Sequence, residues 1–418
     1  MKRHSTIPRY CFEPRWQQGR LPRRAPLVGV LSGLVILATA CSSSGPTARA
    51  DSAGPAASSS SLVAKAKQVL KVASEGLIYS SSNTPSGPGE LMPYGSWRGP
   101  TSAPAHQKNA LVEIIPCTMQ APACATTAES TAAAAKALGW RSNIISSGAV
   151  TPEQAAQAFN VALSLKPQAI IAIAVDAPLA PQQITAAEKA GIVTVEDAAD
   201  PEPSESASYD AYVSYRQPLE STLDAYAAIA DSNGTANAVA VDVTDIPVLS
   251  SAYDQFKSVM AQCAGCRVNT ISITESELGE STTIQQLMSA ALAADPTAGY
   301  VQLPTTEMLP PTAAAISQAG KQGKIKVLAE DADPVGLAAL TQGTAAYDPG
   351  FSLGWLAYAG MDQVIRGLAK APYLTTAQIA LGLHMFTPAN APTSGNAEDY
   401  AGFKIYVSSY DKIWGLTG

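Results

Sequence analysis

Past residue 109 the chain alternates short apolar runs with segments of helical period, and the alternation runs through two successive series. In the first, strands are expected at 110–115, 142–146, 169–175, 192–195 and 209–215, with helices over about 127–138, from 151 onward and around 182–190. Thr151-Pro152-Glu153-Gln154 opens the second of these helices, with Thr as cap, Pro in the first turn and Gln closing a capping box. Its apolar face is Ala155, Phe159, Ala162 and Leu163. Residues 169–175, Ala-Ile-Ile-Ala-Ile-Ala-Val, are unbroken apolar sequence, as in a parallel strand covered on both faces. The second series begins with a helix over 218–230 and places strands at 238–241, 268–273, 299–302, 325–328 and 345–347. Right-handed crossovers turn each series into a parallel sheet with helices on both sides. The expected fold class is α/β, as two doubly wound lobes in tandem. In such sheets ligands bind beyond the carboxyl ends of the strands.

The amino terminus points to a compartment. Lys2, Arg3, Arg9, Arg15, Arg20, Arg23 and Arg24 precede the apolar stretch 25–40. That stretch is shorter than the roughly 20 residues of a spanning helix, and it has the size of a signal-peptide core. Residues 1–40 are therefore expected to be a signal peptide, the Arg23-Arg24 pair leaving the Sec and twin-arginine routes both open. Leu37-Ala38-Thr39-Ala40-Cys41 resembles a bacterial lipobox, in which the cysteine thiol is acylated and becomes the first residue. An uncleaved anchor with an incidental cysteine is the plainer alternative. Residues 42–61 are small and polar, as in a flexible tether, and several acyl chains would hold it stably. Residues 41–108 then comprise the lipidated cysteine, this tether, a short separate helix over 62–74, and an extended lead-in over 80–108.

Four cysteines remain in two close pairs, Cys117 with Cys124 and Cys263 with Cys266. In an exported protein such pairs read as disulfides, each contributing about 2–2.5 kcal/mol through loop entropy. Cys263-Ala264-Gly265-Cys266 also has the spacing of a redox motif or half a zinc site. A redox cysteine belongs at a helix start after a strand, whereas this pair follows a helix and precedes a strand. A structural staple fits better.

Charge removes other classes. The chain has 27 basic and 34 acidic residues, and seven of the basic ones fall within residues 1–40. The remainder is strongly acidic, which disfavours nucleic acid as a partner. Three histidines make a His-rich metal centre a poor expectation, and no cofactor is implied. The sequence carries no phosphate loop, G-x-S-x-G elbow or H-E-x-x-H helix. Ser409-Tyr410-Asp411-Lys412 fits S-x-x-K without its companion motifs.

Residues 110–418 resemble the type I periplasmic solute-binding proteins of ABC transporters, in the ribose-binding-protein-like branch. The resemblance rests on Ala134-Ala135-Lys136-Ala137-Leu138-Gly139-Trp140, on Lys166-Pro167-Gln168-Ala169-Ile170-Ile171 and on Ala187-Glu188-Lys189-Ala190-Gly191-Ile192. Asp331 after Val327-Leu328-Ala329, and Phe386-Thr387-Pro388-Ala389-Asn390, add to it. It implies two lobes joined by a three-crossover hinge that clamp a ligand by closure. The lobes would be 109–216 with 350–395, and 217–349 with 396–418. It further implies a monomeric, lipid-anchored receptor on the outer face of the cell membrane, which captures a small polar solute and delivers it to an ABC permease. The solute would be a sugar or related polyol. A receptor-coupled sensor of the same fold and an exported enzyme are the competing readings.

Strand-end positions supply the expected ligand contacts: Met119, Asp176, Asp197, Tyr215 and Arg216 from the first lobe, and Asp242, Thr305, Asp331, Tyr347 and Asp348 from the second. Carboxylates accept paired hydroxyl hydrogen bonds in a dry cleft, and rings cover the apolar face of a sugar. Asp197 and Asp331 match the two acidic positions that the resemblance implies. Arg216 would pair with a ligand carboxylate or phosphate. Glu196 and Asp197, as strand neighbours, point to opposite faces.

Overall fold

The computed structural model describes residues 55–80, 89–92, 96–198, 208–214 and 217–416. The first series forms a five-stranded parallel sheet in the order β4-β3-β5-β6-β7. Its strands are β3 (Leu111–Pro116), β4 (Arg141–Ile144), β5 (Ala169–Ile173), β6 (Val193–Asp197) and β7 (Ala211–Val213). Every residue of β5 is buried, as its unbroken apolar sequence requires. Two short strands nearer the amino terminus, β1 (Leu77–Ser80) and β2 (Gly89–Met92), belong to another sheet. The connecting helices are α2 (Pro122–Ala137), α3 (Pro152–Ser164) and α4 (Pro181–Lys189), and helix α1 (Pro55–Glu75) precedes them all. Thr151 caps α3 by accepting from the Gln154 N–H, with Pro152 in the first turn.

The second series begins with α5 (Gln217–Asp231). It continues through β8 (Asn237–Val243), α6 (Pro247–Ala261), β9 (Arg267–Ile273), the single turn α7 (Glu275–Leu278), α8 (Ser281–Ala294) and β10 (Tyr300–Gln302). Then come α9 (Leu309–Gln318), β11 (Lys326–Leu328) and α10 (Pro334–Gln342). The sheet is parallel, in the order β11-β10-β8-β9. The strand expected at 345–347 narrows to one parallel bridge, Leu328 to Tyr347. From there the chain turns away into β12 (Asp348–Phe351), which pairs antiparallel with β13 (Leu383–Phe386). Pro349 is tolerated because β12 is an edge strand.

Between β12 and β13 lie α11 (Leu353–Leu368) and the short α12 (Thr376–Ile379). Helix α11 crosses to the first lobe, where it packs on α2, β6 and β7. The carboxyl-terminal helix α13 (Ile405–Ile413) packs on α11 as well. There the Trp414 indole stacks on Tyr358, with ring centres 5.2 Å apart, and its Nε1 donates to Asp362 Oδ1 at 3.0 Å. Residues 405–414 therefore side with the first lobe rather than the second, because an aromatic cluster on α11 holds them there.

The segment before β3 also departs from expectation. The helix expected over 62–74 runs from Pro55 to Glu75 and is not separate: it packs on α5 and β13. The lead-in over 80–108 is not a surface strand of irregular chain throughout. β1 and β2 complete a four-stranded antiparallel sheet in the order β12-β13-β1-β2. Leu77, Ile78 and Tyr79 are buried there, an apolar triplet too short to stand out in a Ser- and Pro-rich stretch.

Candidate functional site

The carboxyl ends of the first sheet are built by strained and cross-linked turns. After β3, the Cys117–Cys124 disulfide closes a loop with Cα atoms 6.0 Å apart, and Met119 lies half-buried within it. Ala174 follows β5 at φ 50° and Ala198 follows β6 at φ 62°, left-handed conformations that alanine rarely takes. Asp176 is half-buried in the turn after β5. The Tyr209 hydroxyl donates to the Val175 carbonyl at 2.7 Å, fixing that turn to the segment that enters β7.

Alternation along β6 separates its two acids. Asp197 is fully buried and faces α11, where a Cβ on Gly360 would come within 2.2 Å of its Oδ1. Neither of its carboxylate oxygens has a hydrogen-bond partner among the described residues, and burial pushes its pKa well up. Glu196 is on the opposite face, 2% exposed, its carboxyl raised by burial first and then by Asp176 and Asp197.

In the second lobe, Asp242 on β8 is half-buried, and its Oδ1 has no hydrogen-bond partner among the described residues. Beyond β8 and β9, Asp245 Oδ1 accepts from the Glu275 N–H at 2.7 Å. The Glu275 carboxyl is raised by desolvation, then by Asp245 and by Asp176 of the first lobe. Strand-end carboxylates of the two sheets therefore lie within electrostatic reach of one another. Thr305 accepts from the Glu307 N–H at 3.2 Å and caps a 3-10 turn.

The loop after β11 is the most strained. Asp331 has φ 88° and Ala332 φ 47°, two consecutive left-handed residues. Acids pin them: the Asp331 N–H donates to Glu220 Oε2 at 3.1 Å and the Ala332 N–H to Asp348 Oδ1 at 2.9 Å. Burial is the main reason that the carboxyls of Asp331 and Asp348 are both raised well above the ordinary range. Gly336 is needed beside Asp348, since a Cβ there would meet Oδ2 at 2.0 Å.

The expected contacts thus divide. Asp331 lies in the strained strand-end loop, while Asp348 is a buried brace beneath it. Asp197 is set into the first-lobe interior against α11 and does not present its carboxylate to Asp331. Tyr347 turns toward Asp231 and α1, lining a surface cavity with Lys67 and Leu70. Tyr215, Arg216 and Cys41 lie outside the described residues. Sequence reading missed Glu220, Asp224 and Glu330, all fully buried under the β11 loop. Glu330 accepts from Ser221 and, at 2.9 Å, from Gln302 Nε2; burial nonetheless raises its pKa to about 7. The available signal was Glu220 and Asp224 one turn apart on the helix expected over 218–230. Among the described residues, no group of three or more His, Cys, Asp or Glu is placed to hold a metal.

Residues 112–369 match the periplasmic binding protein domain family, well over half of the chain. The chain belongs to that family. Solved structures place this periplasmic binding protein in the type I fold. An ABC transporter solute-binding protein from Agrobacterium vitis, bound with alpha-D-tagatopyranose, superposes with a TM-score of 0.61 at 18% identity, over 71% of this chain and 99% of its own. A periplasmic solute-binding protein from Actinobacillus succinogenes with bound D-allose gives 0.60 at 14%, over 68% and 99%. A glucose-galactose binding protein from Geobacillus stearothermophilus gives 0.59 at 16%, over 68% and 100%. Curated protein sequences offer no match. The second expected disulfide, Cys263–Cys266, is formed as well, with Cα atoms 5.2 Å apart.

Proposed function

We propose that this periplasmic binding protein captures a sugar or related polyol between its lobes and delivers it to an ABC permease, without chemistry on the ligand. What carries the reading is that strand-end acids of the two parallel sheets, Asp176 on one side and Asp245 with Glu275 on the other, lie within electrostatic reach of one another. Carboxylates so placed accept pairs of hydroxyl hydrogen bonds once closure excludes water. The sugars bound in the A. vitis and A. succinogenes structures support that ligand class. Asp176, Asp242 and Asp331 are the proposed acceptors, with Met119 and Thr305 beside them; Arg216, outside the described residues, is proposed as a further ligand contact. Asp348 braces the Asp331 loop from beneath. The mature chain works as a monomer held at the outer face of the cell membrane through acylated Cys41.

Thermal-shift titration of the mature chain with D-tagatose, D-allose, D-glucose and D-galactose tests this. A true ligand at 100 times its Kd adds about 2.7 kcal/mol of stability. Asp176→Asn and Asp331→Asn should each weaken binding at least tenfold with the unliganded melting curve little changed. Unaltered affinity in both variants would remove the site assignment. Loss of membrane association in Cys41→Ser tests the anchor separately.

A further inference from the structure

Residues 55–80, 89–92 and 96–108 precede the family-matched segment, yet they touch α5, β13 and α11. Helix α1 lies along α5 of the second lobe, burying Ala66 and Ala73. Lys67 Nζ donates to Asn233 Oδ1 at 2.6 Å, and Lys65 Nζ sits 5.5 Å from the centre of the Tyr226 ring. The chain then enters the β12-β13-β1-β2 sheet, where Ile78 pairs with Leu383 and the Gly76 carbonyl lies 2.8 Å from His384 Nδ1. Past β2 it reaches the first lobe. There the Trp97 ring stacks on Trp355 of α11, with centres 5.3 Å apart. Arg366 Nη2 donates to the Ser102 carbonyl at 2.7 Å, and Trp140 Nε1 donates to the Gln107 carbonyl at 2.7 Å.

We propose that residues 55–80, 89–92 and 96–108 form a strap that ties the two lobes across the β12–β13 pair, so that lobe closure must carry the strap along or break one of its grips. Strand pairing and ring stacking are short-ranged and cannot stretch by more than a fraction of an ångström without breaking. A rotation of α5 relative to α11 must therefore carry the strap along or shear one of its grips. Hinge motion in two-lobed proteins is absorbed by a few residues at element ends. Here those ends, Asp348 to Phe351 and Leu383 to Phe386, are covered by an added hairpin. The strap narrows the range of lobe orientations. It rests on the proposed function only for the statement that a ligand drives closure.

The test uses the mature chain with spin labels at Lys189→Cys on α4 and Ser258→Cys on α6, Cys41 being replaced by Ser. A protease site inserted between Ser96 and Trp97 is cut after folding, which severs the strap and leaves both lobes folded. Pulsed electron spin resonance should then show the lobe-to-lobe distance distribution at least twofold wider in the cut protein. Trp97→Ala, uncut, should widen it in the same direction. Identical distributions in cut, uncut and Trp97→Ala protein overturn the strap. Any of the four sugars above that binds the uncut protein should bind the cut form with affinity changed at least threefold, and equal affinity counts against the proposal. Failure of both forms to bind any sugar tells against the sugar reading alone, with the distance distributions still deciding the strap.

Discussion

At the scale of single residues, the fold is fixed by close approaches that admit one side chain only. Gly360 and Asp197 are such a pair, because an alanine methyl would occupy the space of a carboxylate oxygen. Gly360→Ala should destabilise the protein by about 1–3 kcal/mol, more than the roughly 1 kcal/mol that alanine gains within a helix. Adding Asp197→Ala should recover much of the loss, and a double-mutant cycle by urea denaturation measures the coupling. Strand alternation placed Glu196 and Asp197 on opposite faces from sequence alone. Which face looked at α11 was not legible, because that helix arrives from about 160 residues downstream. Asp331 could be placed at a strand end by position, but its left-handed backbone depends on Glu220 and Asp348, which only the folded chain brings to it.

At the scale of elements, α5, the β11 loop and β12 are joined through buried acids. Burial raises the carboxyls of Glu220, Asp224, Glu330, Asp331 and Asp348 above their unfolded values. Each therefore contributes stability that is complete below the unfolded pKa, about 4, and is lost as pH rises through the folded value, about 7 for Glu330. Asp295 works in the opposite direction. Hydrogen bonds from Thr297 and Asn237 hold its pKa near 2, so its contribution persists above the ordinary range and fades only in strong acid. Urea midpoints should accordingly be higher at pH 5 than at pH 8, and Glu330→Gln should flatten the slope between them. A midpoint that rises from pH 5 to pH 8 would contradict this. The alternating elements from β3 to α10 were readable because their apolar periods differ and repeat. β1 and β2 were not, since each is a four-residue strand and the residue that anchors β1, Leu383 of β13, lies 305 positions beyond its partner Ile78.

At the scale of the whole molecule, the two series of apolar runs form two parallel sheets of five and four strands, the fifth strand expected in the second series being reduced to the Leu328–Tyr347 bridge. The apportioning of the carboxyl terminus was not legible, because it depends on Tyr358, Tyr410 and Trp414 meeting on α11. No helix among the described residues is long and apolar enough to cross a membrane. The packing of α1 has a practical consequence. A recombinant fragment begun at residue 109, just before the family match opens at 112, would strip cover from α5, Leu383 and Trp355 at once. Contiguous apolar area laid bare in this way promotes self-association. Such a fragment should elute from size exclusion as aggregates, while one begun before Pro55 should elute as a single species.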